Sequence, residues 1–268
     1  ENYNTLVGLL KNKKNLILQG APGVGKTFAA TRLAYSMMGE KDDSRIEFVQ
    51  FHQNYSYEDF IMGYKPQDEG FKLTNGIFYQ FCMNAAEHPD KDYFFIIDEI
   101  NRGNMSKIFG ELLMLIEKDY RGTTVTLAYS RTAFSVPKNL YIIGMMNTAD
   151  RSLAMIDYAL RRRFSFYEME PGFNSEGFKA YQASLKNETF NTLIEQIIDL
   201  NREINIDDSL GPGFRIGHSY FCGQEECTEE WMKAVVYYDI IPMLQEYWFD
   251  DRQKVKRWEN LLIGVFND

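Results

Sequence analysis

The stretch Gly20-Ala21-Pro22-Gly23-Val24-Gly25-Lys26-Thr27 decides the fold of this chain. It has the spacing G-x-x-x-x-G-K-[ST], in which glycines let backbone N–H groups turn inward and form a nest for phosphate oxygens. An apolar run of strand length, residues 15–19, precedes it, and a helical pattern over residues 28–38 follows it. Strand, glycine-rich loop and helix are the context that this motif needs to bind a nucleoside triphosphate. The alternative, a chance glycine-rich turn, is disfavoured because both flanks fit.

Individual residues of this loop have expected roles. The Lys26 ammonium can reach the β- and γ-phosphates, and the Thr27 hydroxyl can hold Mg²⁺. The partial positive charge at the helix N-terminus adds to the attraction for phosphate. The predicted nucleotide-binding residues of this segment are Gly20, Ala21, Pro22, Gly23, Val24, Gly25, Lys26, Thr27 and Phe28.

Composition narrows the class of protein. The 268 residues are 45% hydrophobic, which suffices for a sizeable core, and no apolar run approaches the roughly 20 residues that span a bilayer. Three cysteines without a C-x-x-C pair, together with the lack of a signal-peptide pattern, favour a reducing cytoplasm and no membrane association. The net charge of −9 is unusual for a free-standing DNA-binding module. Any DNA contact is therefore expected from a local patch, a further domain or a partner.

Strand and helix patterns alternate up to about residue 170 and then give way to helical periods. The alternation predicts an α/β fold, with a parallel, doubly wound sheet flanked by helices. Helical patterns over residues 190–202, 228–241 and 252–265 predict a C-terminal helical lid. We therefore expect a nucleotide-binding α/β domain at residues 1–170 and the lid at residues 171–268.

Two shorter patterns add detail to the α/β half. Asn104 precedes an apolar stripe that predicts one helix over residues 105–117. The segments 123–127 and 132–136 alternate in polarity and predict a hairpin insertion.

Asp98 and Glu99 follow a continuous apolar run, residues 93–97, that is typical of a strand covered on both faces. Ligands of open α/β sheets bind at the carboxyl ends of the strands. Asp98 is the candidate for holding Mg²⁺ through water, and Glu99 the candidate for orienting or activating the attacking water. A solvated strand end is the alternative reading, and the upstream phosphate loop makes it the weaker one.

Asn147 ends the next apolar strand, and AAA+ ATPases keep their sensor-1 residue at such a position, near the γ-phosphate. A strand-end turn is the alternative reading of this residue.

The triplet of residues 161–163 is either a solvated helix end or the source of an arginine finger that neutralises the transferred phosphoryl. Its place in the chain favours the finger, with Arg162 the first candidate and Arg161 the second. Arg215 is flanked by glycines and is either a second sensor of the nucleotide or part of a structural turn.

Several strings together resemble McrB-like AAA+ proteins, the motor subunits of McrBC modification-dependent restriction systems. Besides the phosphate loop, they are residues 48–53 with 55–60, Asp98–Asn104, Met146–Ser152, Asp157–Phe164 and Gly217–Tyr220. The resemblance covers roughly residues 16–221. The strings near residues 50 and 148 are its most specific parts.

This resemblance implies a function. McrB-like proteins hydrolyse GTP with Mg²⁺, form hexameric rings with active sites between subunits, and bind an McrC-like endonuclease that stimulates hydrolysis. The assembly translocates on DNA and cleaves it near methylated cytosines. The methyl-reading domain lies N-terminal to the motor, outside this sequence. Asp150 could contact the base, as in a guanine-recognition motif, but Thr148 stands where that motif has a lysine. Asp150 could instead orient Arg151 or a neighbouring subunit.

Two other functions remain open from the sequence. MoxR-like ATPases, which act as chaperones or remodelling motors, share the Asp98–Arg102 string and the arginine region, and they would make ATP the substrate. A nucleotide-gated scaffold would bind the triphosphate without efficient hydrolysis. Intact Lys26, Asp98, Glu99 and Asn147 argue against the scaffold.

Overall fold

The computed structural model describes residues 2–67, 70–149 and 158–267. Contacts group the chain into two compact units. One comprises residues 1–19, 26–146 and 150–168, and the other comprises residues 20–25, 147–149 and 169–268. The second unit therefore joins most of the phosphate loop and the end of a strand to the C-terminal part of the chain. The predicted domain division between residues 170 and 171 stays a prediction.

In the described ranges, strands and helices are interspersed up to residue 169, and only helices and turns follow. The strands are β1 (Asn15–Gly20), β2 (Ile46–Gln50), β3 (Met62–Gln67), β4 (Gly70–Asn75), β5 (Tyr93–Asp98), β6 (Thr124–Thr126), β7 (Ala133–Ser135), β8 (Leu140–Asn147) and β9 (Ser165–Met169). The helices are α1 (Asn2–Lys13), α2 (Lys26–Met38), α3 (Tyr57–Phe60), α4 (Ile77–Glu87), α5 (Met105–Phe109), α6 (Tyr158–Arg163), α7 (Glu176–Leu185), α8 (Glu188–Ile206), α9 (Glu229–Ala234), α10 (Ile241–Tyr247) and α11 (Arg252–Gly264).

Within the described ranges, five strands form the main sheet in the order β2-β5-β8-β1-β9. β2 and β8 both pair with β5 in parallel, with Val49 opposite Ile97 and Ile97 opposite Gly144. The first five residues of β5 are buried, as expected for a strand covered on both faces. This confirms the predicted α/β fold with a parallel sheet flanked by helices. The predicted hairpin at residues 123–136 is confirmed as the antiparallel pair β6 and β7.

The single helix predicted over residues 105–117 was wrong. Asn104 caps α5 as expected, because its side chain accepts the N–H of Lys107. The helix stops at Phe109, and Gly110 takes a φ of +52°, a left-handed value that favours glycine. A Cβ at Gly110 would also lie 2.9 Å from the Tyr57 ring. Tertiary packing against this ring therefore overrides the helical period, and a 3₁₀ turn follows.

The C-terminal unit is helical, as predicted, but its segmentation differs from the sequence prediction. The predicted helix 228–241 is α9, a wider π-helical turn over residues 235–240, and α10, which continues to Tyr247. α7 was not predicted, although Ser175 caps it by accepting the Phe178 N–H. The helices enclose an apolar core that includes Phe190, Leu200, Val236 and Leu244, each fully buried or nearly so.

A buried arginine ties several elements of the first unit together. Arg121 is only 4% exposed. Its Nε donates to the Ile116 carbonyl, its Nη1 to the carbonyls of Pro137 and Leu140, and its Nη2 to Asn15 Oδ1 at 2.8 Å. Burial lowers the pKa of Arg121 to about 10, and the guanidinium is still charged at neutral pH. The charge is therefore held by oriented carbonyl dipoles.

Asn15 extends this network toward the arginine triplet. Its Nδ2 donates to the carbonyls of Ile116 at 2.7 Å and Arg163 at 3.1 Å. The start of β1, the start of β8 and the end of α6 are thus connected through two buried side chains. An unpaired buried polar group costs about 1–3 kcal/mol, so the network stabilises the unit only while it is complete.

We predict that Arg121→Met lowers the free energy of unfolding by about 3 kcal/mol, because it leaves several buried oxygens without donors. Denaturant titration followed by circular dichroism measures this change. The matched control is Lys107→Ala, which removes an exposed cation from α5 and is expected to change stability by less than about 0.5 kcal/mol. Equal stability of the two variants would contradict the role assigned to Arg121.

Candidate functional site

The phosphate loop has the backbone that an anion nest requires. Gly23 and Gly25 have φ values of +75° and +81°, which favour glycine. Ala21 and Val24 are buried, at 2% and 1% exposure, so they anchor the loop while the glycines shape it. α2 begins at Lys26, the next residue, and its N-terminus adds a partial positive charge. The loop can therefore bind phosphate oxygens through its backbone.

Lys26 is half-buried at the start of α2. Burial lowers its pKa from 10.5 to about 8, while the nearby carboxylates of Glu99 and Asp98 act in the opposite direction. These charges come from the end of β5, as the sequence analysis expected. Lys26, Asp98 and Glu99 are thus brought together within the first unit.

Asp98 is the last residue of β5 and is half-buried. Burial raises its pKa, and the Glu99 N–H, which donates to Asp98 Oδ1 at 2.9 Å, acts against this rise. Glu99 is only 8% exposed and has a φ of +50°. A left-handed conformation costs a non-glycine residue about 1 kcal/mol, and such strain is concentrated at functional sites.

Arg102 is a site residue that the sequence analysis did not single out. Its Nε lies 3.0 Å from Glu99 Oε2, so it orients the carboxylate predicted to handle water. The two residues are three apart in a 3₁₀ turn, residues 100–102, where such a pair can meet. The signal was present in the string Asp98–Arg102, but the spacing gives a contact only if this turn forms.

The residues proposed for Mg²⁺ offer the right kind of donor. Thr27 supplies an exposed hydroxyl at the start of α2, and Asp98 supplies a carboxylate. Mg²⁺ prefers such hard oxygen ligands and keeps several waters and substrate phosphates. In the described ranges, no group of three or more His, Cys, Asp or Glu could hold a metal by itself. The donor set therefore fits a Mg²⁺ that arrives with a nucleotide.

Asn147 is the last residue of β8, the strand beside β5. Its neighbour Thr148 connects two parts of the second unit. The Thr148 N–H donates to the Gly20 carbonyl at 3.1 Å, and its hydroxyl donates to the Gly213 carbonyl at 3.0 Å. The strand end is therefore bonded to the start of the phosphate loop and to the segment before Arg215. Asp150 and Arg151 lie outside the described residues.

The three arginines at the end of α6 differ in their surroundings. Arg163 is mostly buried, and it donates to the Leu113 carbonyl and pairs with Glu117 at 3.0 Å. Arg162 is 71% exposed and pairs with the same carboxylate at 3.0 Å. Arg161 is exposed and makes no ion pair with any described residue. Arg163 is thus structural, and Arg161 and Arg162 remain the candidates for a finger.

Phe28 and Arg215, which were predicted to contact the nucleotide, each interact with nearby protein groups. The Phe28 ring is 68% exposed, with the Arg32 guanidinium 5.0 Å from its centroid. Arg215 donates to the Pro212 carbonyl at 3.0 Å and lies 3.5 Å from Glu170. Its nucleotide role stays a prediction beside this structural role.

In the described ranges, no helix is both long enough and apolar enough to span a membrane.

Comparison with known proteins gives two family matches. Residues 15–164 match the AAA domain of the dynein-related subfamily. Residues 192–256 match the alpha-helical lid domain of McrB. The first match covers more than half of the chain, and the second falls in its helical C-terminal part.

Two curated relatives are components of restriction enzymes. The Type IV methyl-directed restriction enzyme EcoKMcrB subunit of Escherichia coli strain K12 is 54% identical over 272 residues, covering 97% of this chain and 59% of that protein. The Type II restriction enzyme BsuMI component YdiS of Bacillus subtilis strain 168 is 27% identical over 250 residues, covering 75% of this chain and 72% of that protein. The chain thus spans little more than half of its Escherichia coli relative.

Among solved structures, a putative ATPase from Cytophaga hutchinsonii aligns with a TM-score of 0.41 and 12% identity, over 97% of this chain and 79% of that chain. The family match over residues 15–164, the lid match and the parallel sheet agree with one another. This chain therefore belongs to the AAA domain family, dynein-related subfamily, and is similar to McrB.

Proposed function

We propose that this chain is the GTP-hydrolysing motor of a modification-dependent restriction enzyme. The observation that carries the proposal is the 54% identity, over 97% of the chain, to the Escherichia coli methyl-directed restriction subunit. The McrB-like strings of the sequence imply GTP as the substrate. The AAA domain and its lid supply the matching architecture.

The proposed chemistry uses residues whose surroundings support it. The loop N–H groups and Lys26 would bind the phosphates. Thr27, and Asp98 through water, would hold Mg²⁺, which would neutralise charge on the phosphates. Glu99 orients the attacking water and is itself oriented by Arg102 at 3.0 Å. Because Glu99 is buried, few solvent waters compete for its carboxylate.

Completion of the site requires further groups. Asn147 is proposed to act near the γ-phosphate, and Arg161 or Arg162 to act on the triphosphate bound by a neighbouring subunit. A ring of subunits, proposed to be a hexamer, would place this exposed helix end at such an interface. Exposure of both arginines supports an intermolecular role.

The proposed partners follow from the resemblance and the charge. An McrC-like endonuclease would bind the ring, stimulate hydrolysis and cut the DNA. The net charge of −9 favours DNA contacts made by the assembly or by a domain outside this sequence.

Lys26 gives the proposal a pH signature. With a pKa of about 8, Lys26 is about half protonated at pH 8 before a ligand binds. The negative charge of a bound triphosphate raises the pKa, so we predict uptake of about half a proton per nucleotide at pH 8. At pH 6.5 the lysine is already charged and contributes almost no uptake.

Calorimetric titration with a non-hydrolysable GTP analogue, in buffers of different ionisation enthalpy, measures this uptake. In the control variant Lys26→Arg, the guanidinium stays protonated, so the lysine-dependent uptake should vanish. An equal uptake at pH 8 by the variant, or none by the parent protein, would refute the assignment.

The intermolecular site predicts complementation. Glu99→Gln and Arg161→Ala rings should each hydrolyse GTP at least about a hundredfold more slowly than the parent. If the arginine acts across the interface, a 1:1 mixture contains some interfaces with both groups intact. Random mixing predicts recovery of about a quarter of the parent rate, measured as phosphate release.

A second 1:1 mixture, of Glu99→Gln with Arg162→Ala, identifies which of the two arginines is the finger. Arg252→Ala removes an exposed arginine at the start of α11 and should leave the rate unchanged. Slow variants that show no recovery in either mixture would exclude an arginine acting between subunits.

A further inference from the structure

The segment Gly217–Tyr220 is hydrogen-bonded to the phosphate loop within the second unit. The Gly217 N–H donates to the Pro22 carbonyl at 3.2 Å, and the Ser219 N–H donates to the Gly23 carbonyl at 2.9 Å. A Cβ at Gly217 would lie 1.9 Å from the Gly23 carbonyl carbon, so only glycine permits this approach. His218 lies between the two donors, and its backbone is therefore fixed against the loop.

The His218 ring is oriented by a second part of the unit. Its Nδ1 accepts the Gly172 N–H at 2.9 Å. Edge contacts with the rings of Phe173 and Phe178, at 6.2 and 6.0 Å between centroids, further restrict the ring. A nitrogen that accepts a backbone N–H carries no proton, so the neutral imidazole has its proton on Nε2.

This proton lies beside the phosphate loop. Cε1 and Nε2 of His218 would be 3.8 and 3.9 Å from a Cβ on Gly25. Among the described residues, Nε2 has no hydrogen-bond partner, whereas Nδ1 has one. Burial lowers the pKa of His218, which keeps the ring neutral and this proton arrangement defined. The ring therefore presents a donor next to a loop whose own N–H groups bind phosphate.

We propose that His218 is a nucleotide-binding residue that donates its Nε2–H to a phosphate oxygen of the bound nucleotide. The inference rests on the proposed function only in requiring that the loop bind a guanine nucleotide. It assigns the lid a direct contact that differs from Arg215, whose side chain is bonded to Pro212 and lies 3.5 Å from Glu170. A hydrogen bond to a charged phosphate is stronger than one to a neutral acceptor.

Two variants separate this role from a structural one. In His218→Gln, the amide N–H can occupy the place of Nε2, but the acceptor for Gly172 is lost. In His218→Asn, the amide oxygen can occupy the place of Nδ1 and keep the Gly172 bond, but the Nε2 donor is lost. A binding role thus predicts that glutamine substitutes better, and a purely structural role predicts that asparagine does.

The experiment measures Kd values by displacement of a fluorescent guanine nucleotide with Mg²⁺-GDP, GMP and guanosine. We expect His218→Asn to raise the Kd for GDP about tenfold and His218→Gln to raise it by less than about threefold. The loss should be absent for guanosine, because guanosine has no phosphate. Thermal unfolding verifies that both variants are folded.

The outcomes are distinct. The contact would be overturned if the parent and both variants bound GDP equally. It would also be overturned if His218→Gln bound GDP more weakly than His218→Asn, or if guanosine showed the same loss. Failure of the parent to bind GDP would instead contradict the proposed function.

If a His218 variant does not fold, a second measurement on the parent protein tests the same contact. The chain has only three histidines, so ring ¹⁵N spectra of the parent can resolve His218. We expect GDP to shift the Nε2–H signal and slow its exchange with solvent, while guanosine does not. An unchanged signal at saturating GDP would overturn the proposal.

Discussion

The buried guanidinium of Arg121 is the constraint on which the α/β unit depends. Its hydrogen bonds reach the Pro137 and Leu140 carbonyls before and at the start of β8, and Asn15 at the start of β1. Asn15 in turn bonds to the Arg163 carbonyl at the end of α6. Because the charge has been removed from water, each of these acceptors must stay in place to compensate for it. The network thus connects the amino ends of the neighbouring strands β1 and β8.

In a parallel sheet, strands whose amino ends are aligned also place their carboxyl ends along one edge. β1 leads into the phosphate loop, and β5 ends at Asp98, followed by Glu99 in a strained left-handed conformation. Lys26 is half-buried near these carboxylates, and burial lowers the pKa of its ammonium group to about 8. The negative charge of a bound phosphate would favour the protonated form of this half-buried lysine.

Much of this arrangement could be predicted from the sequence, because it depends on local patterns. The loop spacing, the buried strand before Asp98 and the Asn104 cap are all read within a few residues. The break at Gly110 could not be read, since it depends on the Tyr57 ring, 53 positions earlier. Arg121 was missed for the same reason, because its carbonyl acceptors lie at distant positions of the chain. The contacts of His218 with Gly172 and with the phosphate loop also join positions far apart. Arg102 differs, since its partner Glu99 is only three residues away and the contact needs the 3₁₀ turn to form.

We have proposed that this AAA protein is a GTP-driven restriction motor, and its preference between GTP and ATP tests that proposal most directly. The measurement is steady-state phosphate release from Mg²⁺-GTP and Mg²⁺-ATP, each with and without an McrC-like nuclease. The account predicts a kcat/KM at least about tenfold higher for GTP, a difference of about 1.4 kcal/mol, and a higher kcat when the nuclease is added. A clear preference for ATP, with no response to the nuclease, would contradict it.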